Sequence, residues 1–229
     1  MLGKCVLITD CDHYLAPEAI NLCKSHFVQV AVFDENDPPA IDGSATKDGC
    51  DLLISFLNER ILPASTLRFP NVNFHPGPPE YPGRGGASYA LFNGARTYGA
   101  TAHVMAERVD AGSIVLVEDF DIAPYTRCET VFARAELGCL KLLADALHIF
   151  AATGAVPPPN GRTWQGKPST RKQFVEWLDL DPSDAKQFRR KAAAAYHSKF
   201  PGPYVMVHGL KFGLVKDDRN LAALDGALT

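Results

Sequence analysis

Short apolar runs separated by helical patterns fill the first third of the chain. Residues 5–9 and 51–56 are continuous apolar runs of the kind that forms buried strands, and residues 27–33 alternate as a further strand. A fourth short strand is predicted over residues 72–75, and residues 17–23 suit a helix with a proline in its first turn. This order predicts an α/β fold with a mostly parallel sheet, which binds ligands at the carboxyl ends of its strands.

A longer helical pattern closes this region at Gly154. Thr126 and Glu129 have the spacing of a capping box, and apolar residues then recur at helical intervals. The proline-rich residues 156–161 follow as a linker. We therefore expect a main domain over residues 1–154 and a small C-terminal domain over residues 155–229.

The C-terminal region has the pattern of a small α+β tail. A helix is predicted over residues 182–197 with Asp181 as its cap, followed by strands over residues 204–208 and 211–215 that turn at Gly209. At about 70 residues the tail is near the size at which a hydrophobic core becomes marginal. It is therefore expected to pack on the main domain or on a second subunit, and the second alternative would make the protein a homodimer.

Composition and charge limit the kinds of partner and the cellular location that are expected. The formal charge is −3, and Lys and Arg are scattered along the chain, so a nucleic-acid partner is not expected. No apolar run approaches the ~20 residues that cross a bilayer, and no secretion signal is recognisable, which predicts a cytoplasmic protein without a membrane partner. The six cysteines include no C-x-x-C pair and are predicted to be reduced and structural.

Neither a nucleotide-binding loop nor a metal site is predicted from the turns of the main domain. The turn of residues 10–14 contains no glycine, and Gly85-Gly86 lacks the lysine and spacing of a phosphate loop, so neither favours a dinucleotide. Asp10, Cys11, Asp12 and His13 are rich in metal-ligand atoms, but consecutive residues cannot all face one ion. We interpret them as a turn and expect no metal.

The chemistry-bearing residues begin at the fourth strand. Asn73 and His75 are two apart, so they project from the same face where the sheet ends. Four prolines and two glycines in residues 76–83 then form a rigid loop suited to walling a cleft. Asp110 precedes Ala-Gly further on. Taken singly, none of these residues justifies a functional assignment, because each residue type is also common in ordinary turns or in structural roles.

Taken together, three motifs resemble the folate-dependent formyltransferase family. They are Asn73-Phe74-His75-Pro76, Gly99-Ala100-Thr101-Ala102-His103 and Asp110-Ala111-Gly112. Residues 55–63 are a weaker match to the family's strand and loop that line the pteridine pocket. The resemblance is good over about residues 50–150, and it implies the Rossmann-like formyltransferase fold with N10-formyltetrahydrofolate as formyl donor.

The resemblance also implies roles for individual residues. The catalytic residues would be Asn73, His75 and Asp110. His103 and Thr101 would contact and orient them without contacting the substrate. Residues expected to contact the folate are Phe56, Leu57, Arg60, Ile61, Leu62, Pro78 and Gly112. Formyl transfer passes through an oxyanion while the attacking amine loses a proton, so an amide donor, an imidazole and a carboxylate suit the reaction without a metal.

The acceptor amine is the open question. Residues 75–83 and 200–204 most resemble enzymes that formylate the amino group of a nucleotide-linked aminodeoxysugar. Tyr81, Arg84 and Trp164 are expected to contact this acceptor, with Arg162, Arg189 and Arg190 as further cations near it. Glycinamide ribonucleotide, hydroxyornithine and methionyl-tRNA are alternative acceptors, and a formyltetrahydrofolate hydrolase or a non-catalytic folate-binding protein is the alternative class. The short, acidic residues 33–51 depart from larger family members, which favours an unusual acceptor.

Overall fold

The computed structural model describes residues 2–198, 200 and 202–228. Its central feature is a six-stranded sheet in the order β2-β1-β3-β4-β5-β6. The strands are β1 (Leu2–Thr9), β2 (Phe27–Asp34), β3 (Leu52–Phe56), β4 (Asn71–His75), β5 (Thr97–His103) and β6 (Ile114–Asp121). The pairs β1–β2, β1–β3 and β3–β4 are parallel, and β4–β5 is antiparallel. The predicted α/β fold with a mostly parallel sheet is confirmed.

Helices connect most of these strands. They are α1 (Ala16–His26), α2 (Pro38–Asp42), α3 (Gly86–Phe92), α4 (Cys128–Thr153), α5 (Arg171–Trp177), α6 (Ala185–Ala195) and α7 (Asp218–Ala223). Pro17 lies in the first turn of α1, as predicted. Gly154 follows α4 with a φ of +70°, the left-handed conformation that glycine adopts most easily after a helix.

Both faces of the sheet are covered, which explains the continuous apolar runs. Cys5 and Leu7 of β1 point into a large core with α1 and α4, whereas Val6 and Ile8 point into a smaller one that contains Ala40 of α2. Alternate residues of a strand face opposite sides, so a strand that is buried on both sides contains apolar residues throughout. Residues at the carboxyl ends of the strands are then the ones available for chemistry.

The chain forms two compact units, each built from three segments. The first comprises Met1–Glu80, Gly99–Glu118 and Ala135–Gln165, and it contains most of the sheet. The second comprises Tyr81–Tyr98, Asp119–Arg134 and Gly166–Thr229. Within the second unit, Tyr89, Phe174 and Trp177 pack their rings together.

The two capping predictions were wrong. Asp184 caps α6 by accepting the N–H groups of Lys186 and Gln187, while Asp181 accepts from Ser183 in the preceding turn. Thr126 donates its hydroxyl to the Ala123 carbonyl instead of capping α4. Ser, Thr and Asp satisfy a turn as readily as a helix start, so sequence alone does not separate the two.

The predicted tail hairpin is confirmed. Strands β7 (Tyr204–Val207) and β8 (Leu210–Gly213) pair antiparallel, and His208 and Gly209 both have positive φ at the two-residue turn. Pro201, part of the second acceptor-related motif, lies outside the described residues. Across the described part of the chain, no helix has both the length and the apolar character needed to span a membrane.

Candidate active site

Strand β4 presents Asn73 and His75 at the carboxyl edge of the sheet. Val72 and Phe74, which alternate with them, are buried in the large core, so the amide and the imidazole share the opposite face. The neighbouring strand β5 places His103 opposite Asn73 and Thr101 opposite His75. Four polar side chains are thereby brought to one face of two adjacent strands.

Asp110 completes this cluster from the turn between β5 and β6. Its backbone is in the left-handed region with a φ of +43°, which is uncommon for residues other than glycine but best tolerated by Asp and Asn. One carboxylate oxygen lies 3.5 Å from Nδ1 of His75 and the other lies 3.4 Å from Nε2 of His103. Asp110 is buried, so both contacts act with little screening by water.

The contacts of His103 connect it with the backbone and with the other polar groups of the cluster. Its Nδ1 lies 3.0 Å from the Val104 carbonyl, which can only accept, so Nδ1 carries a proton. Nε2 lies 3.0 Å from Nδ2 of Asn73 and accepts from that amide when the ring is neutral. The same Nε2 lies 3.4 Å from the Asp110 carboxylate, so His103 connects the Asn73 amide with Asp110.

Gly112 and Trp164 pack directly against this cluster. A side-chain carbon at Gly112 would lie 1.7 Å from the Val104 carbonyl oxygen, so the turn after Asp110 closes only with glycine. The Gly112 carbonyl accepts the indole N–H of Trp164 at 2.9 Å. The Trp164 ring meets those of His75 and His103 nearly at right angles, with centroids 5.7 and 5.0 Å away.

The proline-rich loop begins at the same edge. Thr101 donates its hydroxyl to the Gly77 carbonyl at 2.7 Å, and Pro78 is buried directly after it. Thr101 thus fixes the start of the loop relative to β5. The Thr101 side chain lies opposite His75 in the sheet register and is fully buried.

The residues predicted to contact folate differ in exposure. Phe56 is buried in the core against Phe74, whereas Ile61 is 73% exposed. Leu57 and Leu62 are half-buried, and Leu57 has a φ of +50° where the chain leaves β3. Arg60 is exposed and donates to the Asn36 side chain at 2.6 and 3.2 Å.

Glu35 holds the same loop from the end of β2. Its carboxylate accepts the Glu59 N–H at 2.6 Å, and the residue is buried. Burial raises the pKa of Glu35, and the neighbouring Glu59, Asp10 and Asp34 act in the same direction, while the Glu59 N–H partly opposes them. A group that stabilises the backbone of this loop is therefore sensitive to pH.

Two residues predicted to contact the acceptor lie in the second compact unit. Tyr81 packs against Tyr98, and the backbone N–H of Arg84 donates to the Ser169 carbonyl. Trp164, the third, belongs to the first unit together with the polar cluster. Arg189 donates to the Ala223 carbonyl, and the Arg190 guanidinium lies over the Phe92 ring.

Two supporting contacts were not predicted from the sequence. Asn71 accepts the Met105 N–H at 2.7 Å and donates to the Leu67 and Phe69 carbonyls, which anchors the chain beyond β5. Its position two residues before Asn73 was the available signal. The Arg162 guanidinium pairs with Glu80 at 3.0 Å across 82 residues of sequence, and no local pattern signals such a pair.

The residues after β1 form a turn, as interpreted. The Asp12 N–H donates to the Asp10 carboxylate, and the Cys11 N–H donates to Asp34. Nε2 of His13 lies 3.1 Å from the Glu136 carboxylate. Among the residues that the structure describes, no group of three His, Cys, Asp or Glu side chains is arranged to hold a metal ion.

Comparisons with known proteins agree with the motifs. The family model described as Formyl transferase matches residues 23–147, more than half of the chain, so the resemblance is confirmed. Methionyl-tRNA formyltransferase of Listeria monocytogenes is 30% identical over 134 residues, which cover 56% of this chain and 43% of that protein. The chain thus spans less than half the length of this curated relative.

Solved structures show the same fold. A sugar N-formyltransferase from a Shewanella species has a TM-score of 0.74 at 17% identity and covers 93% of this chain and 96% of its own. An N-formyltransferase from Helicobacter canadensis, in complex with folinic acid and dTDP-3-aminofucose, has a TM-score of 0.66 at 14% identity over 92% of this chain and 86% of its own. At these identities the likeness concerns the fold alone.

Proposed function

We propose that this chain, which belongs to the formyl transferase family, is an enzyme that transfers a formyl group from N10-formyltetrahydrofolate to a primary amine. One observation carries the proposal. Asn73, His75 and Asp110 come from two separate motifs and meet in one polar cluster at the carboxyl edge of the sheet. An amide, an imidazole and a carboxylate within contact are the groups that formyl transfer requires.

Each group has a distinct role in the proposed reaction. The Asn73 amide donates a hydrogen bond to the oxygen that becomes negative when the amine attacks the formyl carbon. His75 stabilises the same charge or accepts the proton that the amine loses. Asp110, with a carboxylate oxygen 3.5 Å from Nδ1 of His75, orients the ring. His103 ties Asn73 to Asp110 through the contacts of its Nε2.

The donor is proposed to bind beside the loop that follows β3. N10-formyltetrahydrofolate would supply an activated formyl group there. The exposed Ile61 and the half-buried Leu57 and Leu62 offer apolar surface for a pteridine, and the backbone of the loop offers hydrogen bonds. Arg60, Pro78 and Gly112 are proposed as further contacts.

The acceptor is proposed to be the amino group of a nucleotide-linked aminodeoxysugar. The structural neighbours include sugar N-formyltransferases, one of them bound to a dTDP-linked aminosugar, and this supports the proposal at the level of fold. Tyr81, Arg84 and Trp164 are proposed to contact the acceptor. The protein is further proposed to be a cytoplasmic homodimer.

A formylation screen tests both halves of the proposal. The purified protein is incubated with formyltetrahydrofolate and one acceptor at a time, and formylated product and free tetrahydrofolate are measured. The acceptors are dTDP-, GDP- and UDP-linked aminosugars, glycinamide ribonucleotide, hydroxyornithine and methionyl-tRNA. We expect product with an aminosugar only.

Each other outcome of the screen has a defined meaning. Product only with methionyl-tRNA or another amine would replace the sugar and keep formyl transfer. Release of formate without an acceptor would replace the transferase with a hydrolase. If no acceptor is formylated and calorimetry detects no binding of 5-formyltetrahydrofolate, the proposed function is wrong.

A further inference from the structure

The geometry points to Trp164 as a positioning residue for the catalytic cluster, and we propose that it holds His75 and the Asp110 turn in their reactive arrangement. This inference rests on the proposed function and goes beyond the acceptor contact proposed for the same residue. Trp164 lies in the segment after α4, far in sequence from the three motifs. It nevertheless contacts one residue of each motif: His75, His103 and Gly112.

Three contacts place the indole within the first compact unit. Its N–H donates to the Gly112 carbonyl at 2.9 Å, two residues after Asp110. Its ring lies edge-to-face with His103 at an interplanar angle of 88° and with His75 at 74°. Perpendicular packing of this kind is a favoured aromatic geometry, and it leaves few orientations open to either imidazole.

The segment that bears Trp164 is itself fastened on both sides. The Asn160 N–H donates to the Ile114 carbonyl at 3.0 Å, and the Gln165 N–H donates to the Pro79 carbonyl at 2.8 Å. Arg162 and Gln165 also contact the Glu80 carboxylate, at 3.0 and 3.2 Å. Residues 160–165 therefore form a strap from the Asp110–Ile114 region to the loop after His75, with Trp164 facing the cluster.

This strap would restrain the part of the cluster that its own contacts hold least closely, which is the turn that bears Asp110. The buried Asp110 lies between the exposed Val109 and Ala111 in a turn, and its own backbone is left-handed. Its contacts with the two histidines are long, at 3.4 and 3.5 Å. Hydrogen bonding of Trp164 to Gly112 restrains that turn, while the ring restrains the imidazoles. Misplacement of a catalytic group by about 1 Å can cost ~10²-fold in rate, so this restraint should appear in turnover.

A double-mutant cycle between Trp164 and His75 tests the proposal. W164A and W164F are made in the wild-type and H75N backgrounds, and single-turnover rates are measured at saturating folate and acceptor. We expect W164A to lower the rate about 10- to 10²-fold in the wild type but less than about 3-fold with H75N, because the restrained ring is then absent. W164F keeps a ring but loses the N–H, so its loss should be intermediate.

Contrary results are equally defined. Equal losses from W164A in both backgrounds would show that Trp164 acts independently of His75 and would overturn the proposal, as would an unchanged rate. A rise in acceptor KM without a fall in rate would assign it to substrate contact alone. W177A, which removes the other tryptophan from the packed rings of the second unit, is the matched control and should not reproduce the coupling.

A readout without turnover separates this inference from the proposed function. Nitrogen NMR of the imidazoles should show one ordered Nδ1–H tautomer for His103 in the wild type and W164F, and averaged signals in W164A. Ordered signals that depend on Trp164 in a protein without formyl transfer would overturn only the function. Signals in W164A identical in sharpness to wild type would overturn the positioning role.

Discussion

At the scale of single residues, His75 and Asp110, the two protonatable groups of the proposed reaction, contact each other. Replacing His75 by Asn, or Asp110 by Ala, is expected to lower turnover by ~10²-fold or more, because general acid and base groups contribute about that much. Both side chains lie at the edge of the sheet, so the fold should persist. Steady-state rates under saturating substrates, with circular dichroism of each variant, measure the two effects.

The control for this prediction is a histidine of the same unit without a place in the cluster. His148 is exposed on α4, where it packs against His26. H148N should keep wild-type turnover. Near-normal turnover in H75N or D110A would remove that residue from the proposed mechanism.

The sequence could place some of these residues and not others. Asn73 and His75 follow from the two-residue repeat of a strand, which needs no knowledge of the rest of the chain. The contact of Asp110 with both histidines depends on a left-handed turn and on which strands are neighbours, and only the family motif suggested it. Trp164 was assigned to the acceptor, because no local pattern shows that its segment crosses back to His75.

At the scale of elements, the turn between β5 and β6 depends on Gly112. In G112A the new methyl group would meet the Val104 carbonyl oxygen, so the turn must open and Asp110 must move. We expect turnover to fall by ~10²-fold and the free energy of unfolding to fall by about 1–3 kcal/mol. Gly213, where a methyl group meets no atom within 4 Å, supplies the control G213A. Equal behaviour of the two variants in urea titration and assay would contradict the prediction.

The contact between β2 and the loop after β3 should make stability depend on pH. The raised pKa of Glu35 means that the folded state binds its proton more tightly than the unfolded state. The stabilisation from that proton is present at low pH and is lost as pH rises through the folded pKa. E35Q imitates the protonated form, keeps an oxygen for the Glu59 N–H, and should melt at a higher temperature than wild type at pH 7.5.

The difference for E35Q should shrink toward about pH 4, where an ordinary glutamate is itself largely protonated. E107Q, a change of the same kind at an exposed position, should show neither effect. Melting curves of the three proteins across this pH range provide the measurement. A wild type that melts above E35Q at pH 7.5 would show that the charged carboxylate stabilises the loop.

Element ends were predicted less well than element types. The continuous apolar runs predicted β1 and β3, because burial on both faces leaves few polar residues. Strand β2 was predicted from looser alternation, since part of it is exposed, and β4 from a short run that carries Asn73 and His75 on one face. The start of α6 was misplaced because Asp181 and Asp184 are three residues apart and either can cap a helix. Strand β6 and helices α2, α3, α5 and α7 were not predicted, since short or half-exposed elements have weak periodicity.

At the scale of the whole molecule, the hairpin of β7 and β8 is the best candidate for contact between subunits. Within the second unit, three apolar side chains share one face of the hairpin and are exposed by 41–63%: Val207, Leu210 and Phe212. A two-stranded hairpin is marginally stable by itself, and exposed apolar patches mark interaction surfaces. A second copy of the chain carries the same patch, so a symmetric contact covers both at once.

The dimer proposed on this basis predicts a mass of twice 24.9 kDa in light scattering after size exclusion. F212E places a charge on this face of the hairpin and should yield a monomer, because an unpaired charge is costly to bury between subunits. V28E is the matched control, since Val28 is 70% exposed on β2 in the first unit and outside the hairpin. A monomeric wild type would contradict the dimer, and dissociation by V28E but not by F212E would move the interface to the edge of the sheet.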